Sequence, residues 1–393
     1  MSRKVRSSTY RTFIIGQRPI DAKLYLFSIL YLSALFSSSC APPNKRPERS
    51  TEVESFDGGR ERVQHAALIE LGRLLFYERR LSLNGDRSCG ICHEQAKGFT
   101  DGFVRAVGTT GELHPRNTFT LINVARRETL SWLSPESQSL EEQLLTPLLG
   151  ENPVEQGAAP IIERALPAFS MEPPYRRLLE ALKLETLTLP LLARAISSFV
   201  RTIRSEDSAY DRALQGEEGA LSDLAERGRT LFFSERVGCT RCHGGLDFDQ
   251  PEGVERHGWY NTGLYLLPGG RYPSGREGLY EISGADEDIG KYRVPTLRGL
   301  AFTAPYYHDG TGASLRSVLR AYNEGGRLVR SGPFAGDGRL HPNKDPRIRP
   351  LGLHEEELEA LEAFLLSLSD PALLDDSRWA DPIAHRDALP SLP

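Results

Sequence analysis

Two short stretches of the chain combine paired thiols with an imidazole: Cys89-Gly-Ile-Cys92-His93 and Cys239-Thr-Arg-Cys242-His243. Two cysteines at this spacing can form thioethers to the vinyl groups of a porphyrin, and the histidine that follows can ligate its iron. A single motif of this kind could also be half of a zinc site. Two of them, each preceded by a related helix, point instead to two covalently bound c-type haems, with His93 and His243 as proximal ligands.

What lies on the far side of each iron decides what the haems do. Electron-transfer cytochromes fill that position with Met or His, yet the chain has only two methionines, and Met171 stands beside Pro173-Pro174, far from either motif. Seven further histidines remain, at 65, 114, 257, 308, 341, 354 and 385. A lone histidine is usually a surface or hydrogen-bonded residue, so none of these is an obvious ligand by type alone.

The elements that must hold the motifs repeat. Gly72-Arg-Leu-Leu-Phe-Tyr-Glu-Arg79 precedes the first motif and Gly228-Arg-Thr-Leu-Phe-Phe-Ser-Glu-Arg236 the second. Leu68, Leu71 and Leu75 recur at helical spacing. The spacing also predicts a helix over 187–204, with Leu191, Leu192, Ala195, Ile196 and Phe199 inward. Another is expected over about 355–368, with Leu358, Leu361, Leu365 and Leu368 on one side and an acidic start that suits a helix N-terminus. Residues 244–290, rich in Gly, Pro and Tyr, read as loops and short strands. The expected fold is mainly α: two cytochrome c-like domains, each with one covalently bound haem, long loops and few short strands. Residues 61–204 and 221–393 would be the two domains, joined by a polar linker at 205–220.

Composition is that of an ordinary globular protein, 39% apolar and 26% charged, and a net charge of −5 gives no footprint for nucleic acid or for a polybasic membrane patch. Residues 1–40 look like an export segment, with a basic start and an apolar run from Leu24 to Phe36 that is short for a membrane span. The small residues before Cys40 suggest a lipoprotein, with simple cleavage or an uncleaved anchor as alternatives. Residues 41–60 read as a Pro-rich, charged tether. The expected location is therefore the periplasm, with Cys40 as a membrane tether where it is lipidated.

The segment 294–310, with its Val-Pro-Thr-Leu-Arg-Gly-Leu and Thr-Ala-Pro-Tyr-Tyr-His-Asp-Gly runs, closely resembles bacterial di-haem cytochrome c peroxidases and the related MauG enzymes, as does His114-Pro-Arg-Asn117. Ser88–His93, Gly150-Glu-Asn-Pro-Val-Glu155 and Tyr260-Asn-Thr-Gly-Leu-Tyr265 look like the subgroup called MbnH. The resemblance runs from about residue 62 to 370. It implies a haem-dependent oxidoreductase of the di-haem peroxidase type. In its register the sixth ligand of the second haem, a Met in the peroxidases and a Tyr in MauG-like enzymes, falls on Tyr322. The distal His that many peroxidases carry on the first haem falls on Thr109, so the first haem is expected to be five-coordinate and open to peroxide. Glu155 matches the family acid/base, with Glu151 as an alternative. Gln143 and Pro147 match residues lining that pocket, and Trp132 resembles the tryptophan between the haems. Family calcium ligands map to the Asn117 side chain and the carbonyls of Thr303 and Pro305.

Two functions follow from the resemblance. In the first, hydrogen peroxide generates a high-valent di-haem state that oxidises aromatic residues, Trp above all, of an exported and copper-associated partner protein by long-range electron transfer. In the second, peroxide is reduced with electrons from a small cytochrome or cupredoxin. A plain electron-transfer cytochrome would need both irons six-coordinate. Trp259 and Trp379 are candidate surface relays, although ordinary packing is the simpler role for either.

Overall fold

The computed structural model describes residues 57–136, 138–254 and 257–382. The export segment, Cys40 and the tether up to residue 56 lie outside the described residues. By contacts, the described residues fall in one compact unit. No helix among the described residues is long and apolar enough to cross a membrane.

The fold is mainly helical. Its principal helices are α1 (Asp57–Phe76), α2 (Leu140–Leu149), α3 (Ile162–Met171), α4 (Pro173–Ala181), α5 (Leu189–Val200), α6 (Ala209–Leu214), α7 (Asp223–Phe232), α8 (Leu315–Asn323) and α9 (Glu355–Leu366). Only two-residue strands occur among the described residues: β1 (Trp259–Tyr260) pairs antiparallel with β2 (Tyr292–Arg293), and β3 (Leu328–Val329) with β4 (Gly336–Asp337).

The repeat in the sequence is a repeat in packing. α1 crosses α5, and α7 crosses α9. At each crossing the backbones meet at a glycine: a Cβ on Gly72 would lie 1.9 Å from the Ala195 carbonyl oxygen, and one on Gly228 1.8 Å from that of Ala360. No side chain fits there, so both helix pairs depend on glycine for their close approach. The inward faces are those that spacing predicts. Leu71 and Leu75 of α1 bury against Leu191, Leu192, Ala195, Ile196 and Phe199 of α5, and Leu358, Leu361 and Leu365 are buried on α9. Leu368 is buried too, just beyond the end of that helix. Thr188 caps α5 by accepting from the Leu191 amide, and Ser222 caps α7 by accepting from that of Ala225.

Two packing centres result. One gathers residues between Leu71 and Ile203, the other residues between Tyr210 and Leu368. A smaller cluster of Leu133, Leu264, Tyr265, Tyr272 and Tyr292 joins residues from both halves, with Trp132 packed against it. Two features add to the reading of a polar linker at 205–220 and a second domain at 221–393. Residues 205–220 hold α6, capped by Ser208 and Asp211, with Tyr210 and Asp211 buried and Asp211 paired to Arg298 at 2.6 Å. Ser208 and Asp211 are thus buried and bonded, while Glu206, Asp207, Gln215, Glu217 and Glu218 of the same stretch are exposed. The stretch from Leu373 to Trp379 also folds back: both residues join the first core, and the Tyr77 hydroxyl donates to the Trp379 carbonyl at 2.6 Å.

Candidate haem sites and the residues between them

Each Cys-x-x-Cys-His motif is a single helical turn, Cys89–Cys92 in the first and the tighter Cys239–Arg241 in the second. The histidine amide closes it in both, donating to the carbonyl of the first cysteine at 2.8 Å. The imidazoles are then anchored alike. His93 Nδ1 lies 3.0 Å from the Phe99 carbonyl oxygen, and His243 Nδ1 lies 2.9 Å from that of Phe248. Both phenylalanines are buried with φ near +60°, a left-handed conformation that turns the carbonyl back onto the ring. A backbone carbonyl only accepts, so Nδ1 carries the proton and Nε2 keeps the lone pair a metal needs. Burial pushes both imidazoles below their ordinary pKa, against the pull of the carbonyls of Phe99 and Phe119 on His93 and of Phe248 and Pro295 on His243.

A second pair of equivalent residues completes the frames, and motif spacing alone does not single it out. Thr120 Oγ1 donates to the Gly98 carbonyl and accepts from the Ile122 amide. Thr296 Oγ1 donates to the Asp247 carbonyl and accepts from the Arg298 amide. The signal was present as a shared Thr-Leu at 120–121 and 296–297. None of the four motif cysteines is in a disulfide. Burial pushes Cys89 and Cys242 up to about 11 and Cys92 and Cys239 up to about 12, so the thiols stay neutral.

The second motif opens on a cavity of about 260 Å³. Cys239, Cys242 and His243 line it, with apolar walls from Phe232, Leu300, Leu319, Leu358 and Leu361, and Tyr322 of α8 lines it too. Ser314 caps α8 by accepting from the Ser317 amide, which fixes the helix that carries Tyr322. Burial first, then Tyr307 and the two thiols, push the Tyr322 phenol well above its ordinary pKa. An apolar slot with two thiols and a free imidazole Nε2 fits a covalently held porphyrin, and the tyrosine adds a further oxygen donor in the same cavity.

Around the first motif the groups differ. The loop after α2 docks back onto that helix, Gln156 and Ala158 donating from their amides to the carbonyls of Pro147 and Leu148 at 3.0 and 2.8 Å. The Thr109 amide donates to the Glu155 carbonyl, and a Cβ on Gly108 would lie 1.9 Å from the Val154 oxygen, so the two loops meet through glycine. Gln156 reaches Cys89 Sγ at 3.4 Å, and the Glu155 carboxylate helps raise both thiols of this motif, which puts it on their side. Gln143 stands half-buried on α2, one turn before Pro147. Glu151 is exposed on the same loop. Thr109, at the register of the peroxidase histidine, spends its hydroxyl on Asp86 at 2.6 Å.

His114 Nε2 lies 3.7 Å from Glu155 Oε1. His114 Nδ1 lies 3.1 Å from the Arg116 amide nitrogen and 3.0 Å from the Arg116 carbonyl oxygen, and Nε2 faces the carboxylate. Burial raises the pKa of Glu155, and His114 offsets part of that rise.

Trp132 lies between these two settings. Its indole stacks on Phe119 at 3.9 Å, whose carbonyl acts on His93, and it lines the cavity of the second motif. Its other ring neighbours are Tyr292 and His308, which are themselves stacked at 3.6 Å. Nε1 donates to the Asn117 carbonyl at 2.9 Å. Asn117, Thr303 and Pro305 border the same cavity, and the Asn117 amide nitrogen is spent on the carbonyls of Phe103 and Val104, leaving Oδ1 as its donor for a hard cation. No cluster of three or more His, Cys, Asp or Glu suited to a metal occurs among the described residues. Of the other tryptophans, Trp379 is buried and bonded to Thr202, which is core packing, and Trp259 begins β1.

Comparison with known proteins agrees with this arrangement. A family model described as di-haem cytochrome c peroxidase matches residues 66–219. A cytochrome-c peroxidase of Pseudomonas sp. strain SCT is 33% identical over 92% of this chain and 96% of its own. The methylamine utilization protein MauG of Methylorubrum extorquens is 29% identical over 78% and 79%. The crystal structure of a MauG-like protein associated with microbial copper homeostasis superposes with a TM-score of 0.76 at 41% identity, covering 80% of this chain and 93% of that one. The chain thus belongs to the di-haem cytochrome c peroxidase family of haem oxidoreductases, which has MauG-type members.

Proposed function

We propose that the chain carries two covalent c-type haems, at Cys89/Cys92/His93 and Cys239/Cys242/His243, and uses hydrogen peroxide to oxidise an aromatic residue, a tryptophan, of an exported partner protein. The observation that carries this reading is the inequality of the two settings. Tyr322 shares a cavity with His243, whereas the first motif is accompanied by the acid/base pair Glu155 and His114 and by Thr109 in place of a ligand. When bound, the haems supply the redox chemistry, two electrons for each peroxide reduced.

The residues of the chain divide the remaining work. Glu155, its proton affinity raised by burial, accepts and returns the peroxide proton. His114 Nε2 faces it at 3.7 Å with partial access to solvent, so the proton has a route in and out. Tyr322, in the same cavity as His243, would offer a second haem a harder and more anionic donor than the methionine of a peroxidase, which would favour the oxidised metal. Trp132 passes charge between the two. Its N–H donates to a backbone carbonyl that cannot take the proton, so the indole can lose and regain an electron with that proton in place.

Asn117, Thr303 and Pro305 hold a calcium ion in this reading, and the enzyme works in the periplasm, tethered through a lipidated Cys40. A copper-associated partner is favoured because the relative at 41% identity is one associated with microbial copper homeostasis. A second reading, peroxide reduction fed by a small cytochrome or cupredoxin, is favoured by the 33% identity to a cytochrome-c peroxidase over nearly its full length. Mixing the ferric holoprotein with peroxide separates them. A long-lived oxidised protein with near-infrared absorption is expected for the first. Rapid turnover with reduced cytochrome c and no such state would overturn it in favour of the second.

A further inference from the structure

Arg293 is among the most deeply buried side chains of the molecule, 1% exposed, and it lies in β2 just ahead of the Val-Pro-Thr-Leu segment. Its guanidinium covers the Phe119 ring at 4.6 Å, Nε donates to the Ser131 carbonyl at 3.0 Å and Nη1 to the Val294 carbonyl at 3.3 Å. All three partners are neutral. The buried carboxylates nearby are engaged elsewhere: Asp211 with Arg298 at 2.6 Å, Asp247 with Arg126 at 3.3 Å and with Asn123 at 2.6 Å, and Asp249 with Arg127 at 3.4 Å. Among the described residues no carboxylate pairs with Arg293. Burial, then the charge of Arg127, push its pKa down to about 9, with Asp249 offsetting only part. A buried cation without a counter-charge is costly, and the remedy is an anion brought to it.

Arg293 lines the cavity shared by Cys239, Cys242, His243 and Tyr322. The other arginines of that wall are provided for differently: Arg347 pairs with Asp345 at 2.7 Å, and Arg349 is exposed. The geometry points to Arg293 as the binding residue for a propionate carboxylate of the haem attached at Cys239 and Cys242. Guanidinium and carboxylate form a charge-assisted pair, so one bond neutralises both the buried cation and the buried acid. The first haem is the other possible source of such a carboxylate, and its bands in the experiment below are the control.

The inference rests on the proposed haem at His243. It is tested on the holoprotein by resonance Raman spectroscopy of the propionate-bending bands, with a potentiometric titration of each haem at several pH values, in wild type, Arg293→Gln and Arg293→Lys. In Arg293→Gln the bands of the His/Tyr haem shift, and its reduction potential falls and gains a pH dependence as the propionate is left without its partner. Arg293→Lys, which keeps the charge, stays close to wild type and serves as the folding control. Unchanged bands and an unchanged pH profile in both variants would overturn the proposal, as would a shift confined to the first haem. A purified chain with no haem at Cys239 and Cys242 would overturn the haem assignment itself, a different and separately visible failure.

Discussion

Replacing Glu155 with glutamine keeps the size of the side chain and removes its ability to take a proton. The carboxylate is expected to supply general acid/base catalysis of roughly 10²–10⁴-fold, so Glu155→Gln should slow the bimolecular reaction of the ferric protein with peroxide by that factor. The pH profile gives a sharper test. Burial raises the pKa of Glu155, and the base form exists only above that pKa, so the wild-type rate climbs as pH rises through it. His114 is the influence that holds the rise in check, so His114→Gln should carry the acid limb to higher pH. On that limb the rate should fall about tenfold for every pH unit by which the limb moves. Stopped-flow absorbance of the holoprotein between mildly acidic and neutral pH measures both variants. A Glu155→Gln rate within about threefold of wild type, with the limb intact, would refute the role of this residue.

Other consequences are as open to measurement. Gly228→Ala puts a Cβ 1.8 Å from the Ala360 oxygen and should destabilise by at least ~1–3 kcal/mol, seen as a lowered thermal midpoint, with Gly72→Ala acting in the same direction on the first helix pair. Trp132→Phe keeps an aromatic in the stack but loses the indole. It should leave the ferric spectra of both haems in place while abolishing the near-infrared absorption that follows peroxide. Tyr322→Met should raise the reduction potential of the second haem and shorten the life of the peroxide-oxidised protein, both followed optically.

Much of this site was legible because its signals are local. The Cys-x-x-Cys-His turns are contiguous, and the α5 and α9 faces follow from leucine spacing alone. The expectation for Tyr322 came from the register of the family resemblance, within the continuous stretch that runs from 294–310 into α8. The pairing of His114 with Glu155 could not be read that way. It depends on two irregular loops, 41 residues apart in sequence, brought together by the Thr109–Glu155 backbone bond and the glycine at 108. Loops have no periodicity from which to infer a neighbour. The buried part of the polar run at 205–220 was hidden for a related reason. Composition registers Ser208 and Asp211 as hydrophilic, but both are spent on capping α6 and on Arg298, and are buried in consequence. The return of Trp379 to the first core is equally invisible, since nothing local marks which core a tail will join.

The central claim is that the two haem settings are unequal, one open and one closed by Tyr322. A low-temperature electron paramagnetic resonance spectrum of the ferric holoprotein measures this most directly. One high-spin and one low-spin signal of equal weight are expected, the high-spin component being the one lost first when peroxide is added. Two low-spin signals, with no high-spin component, would contradict it.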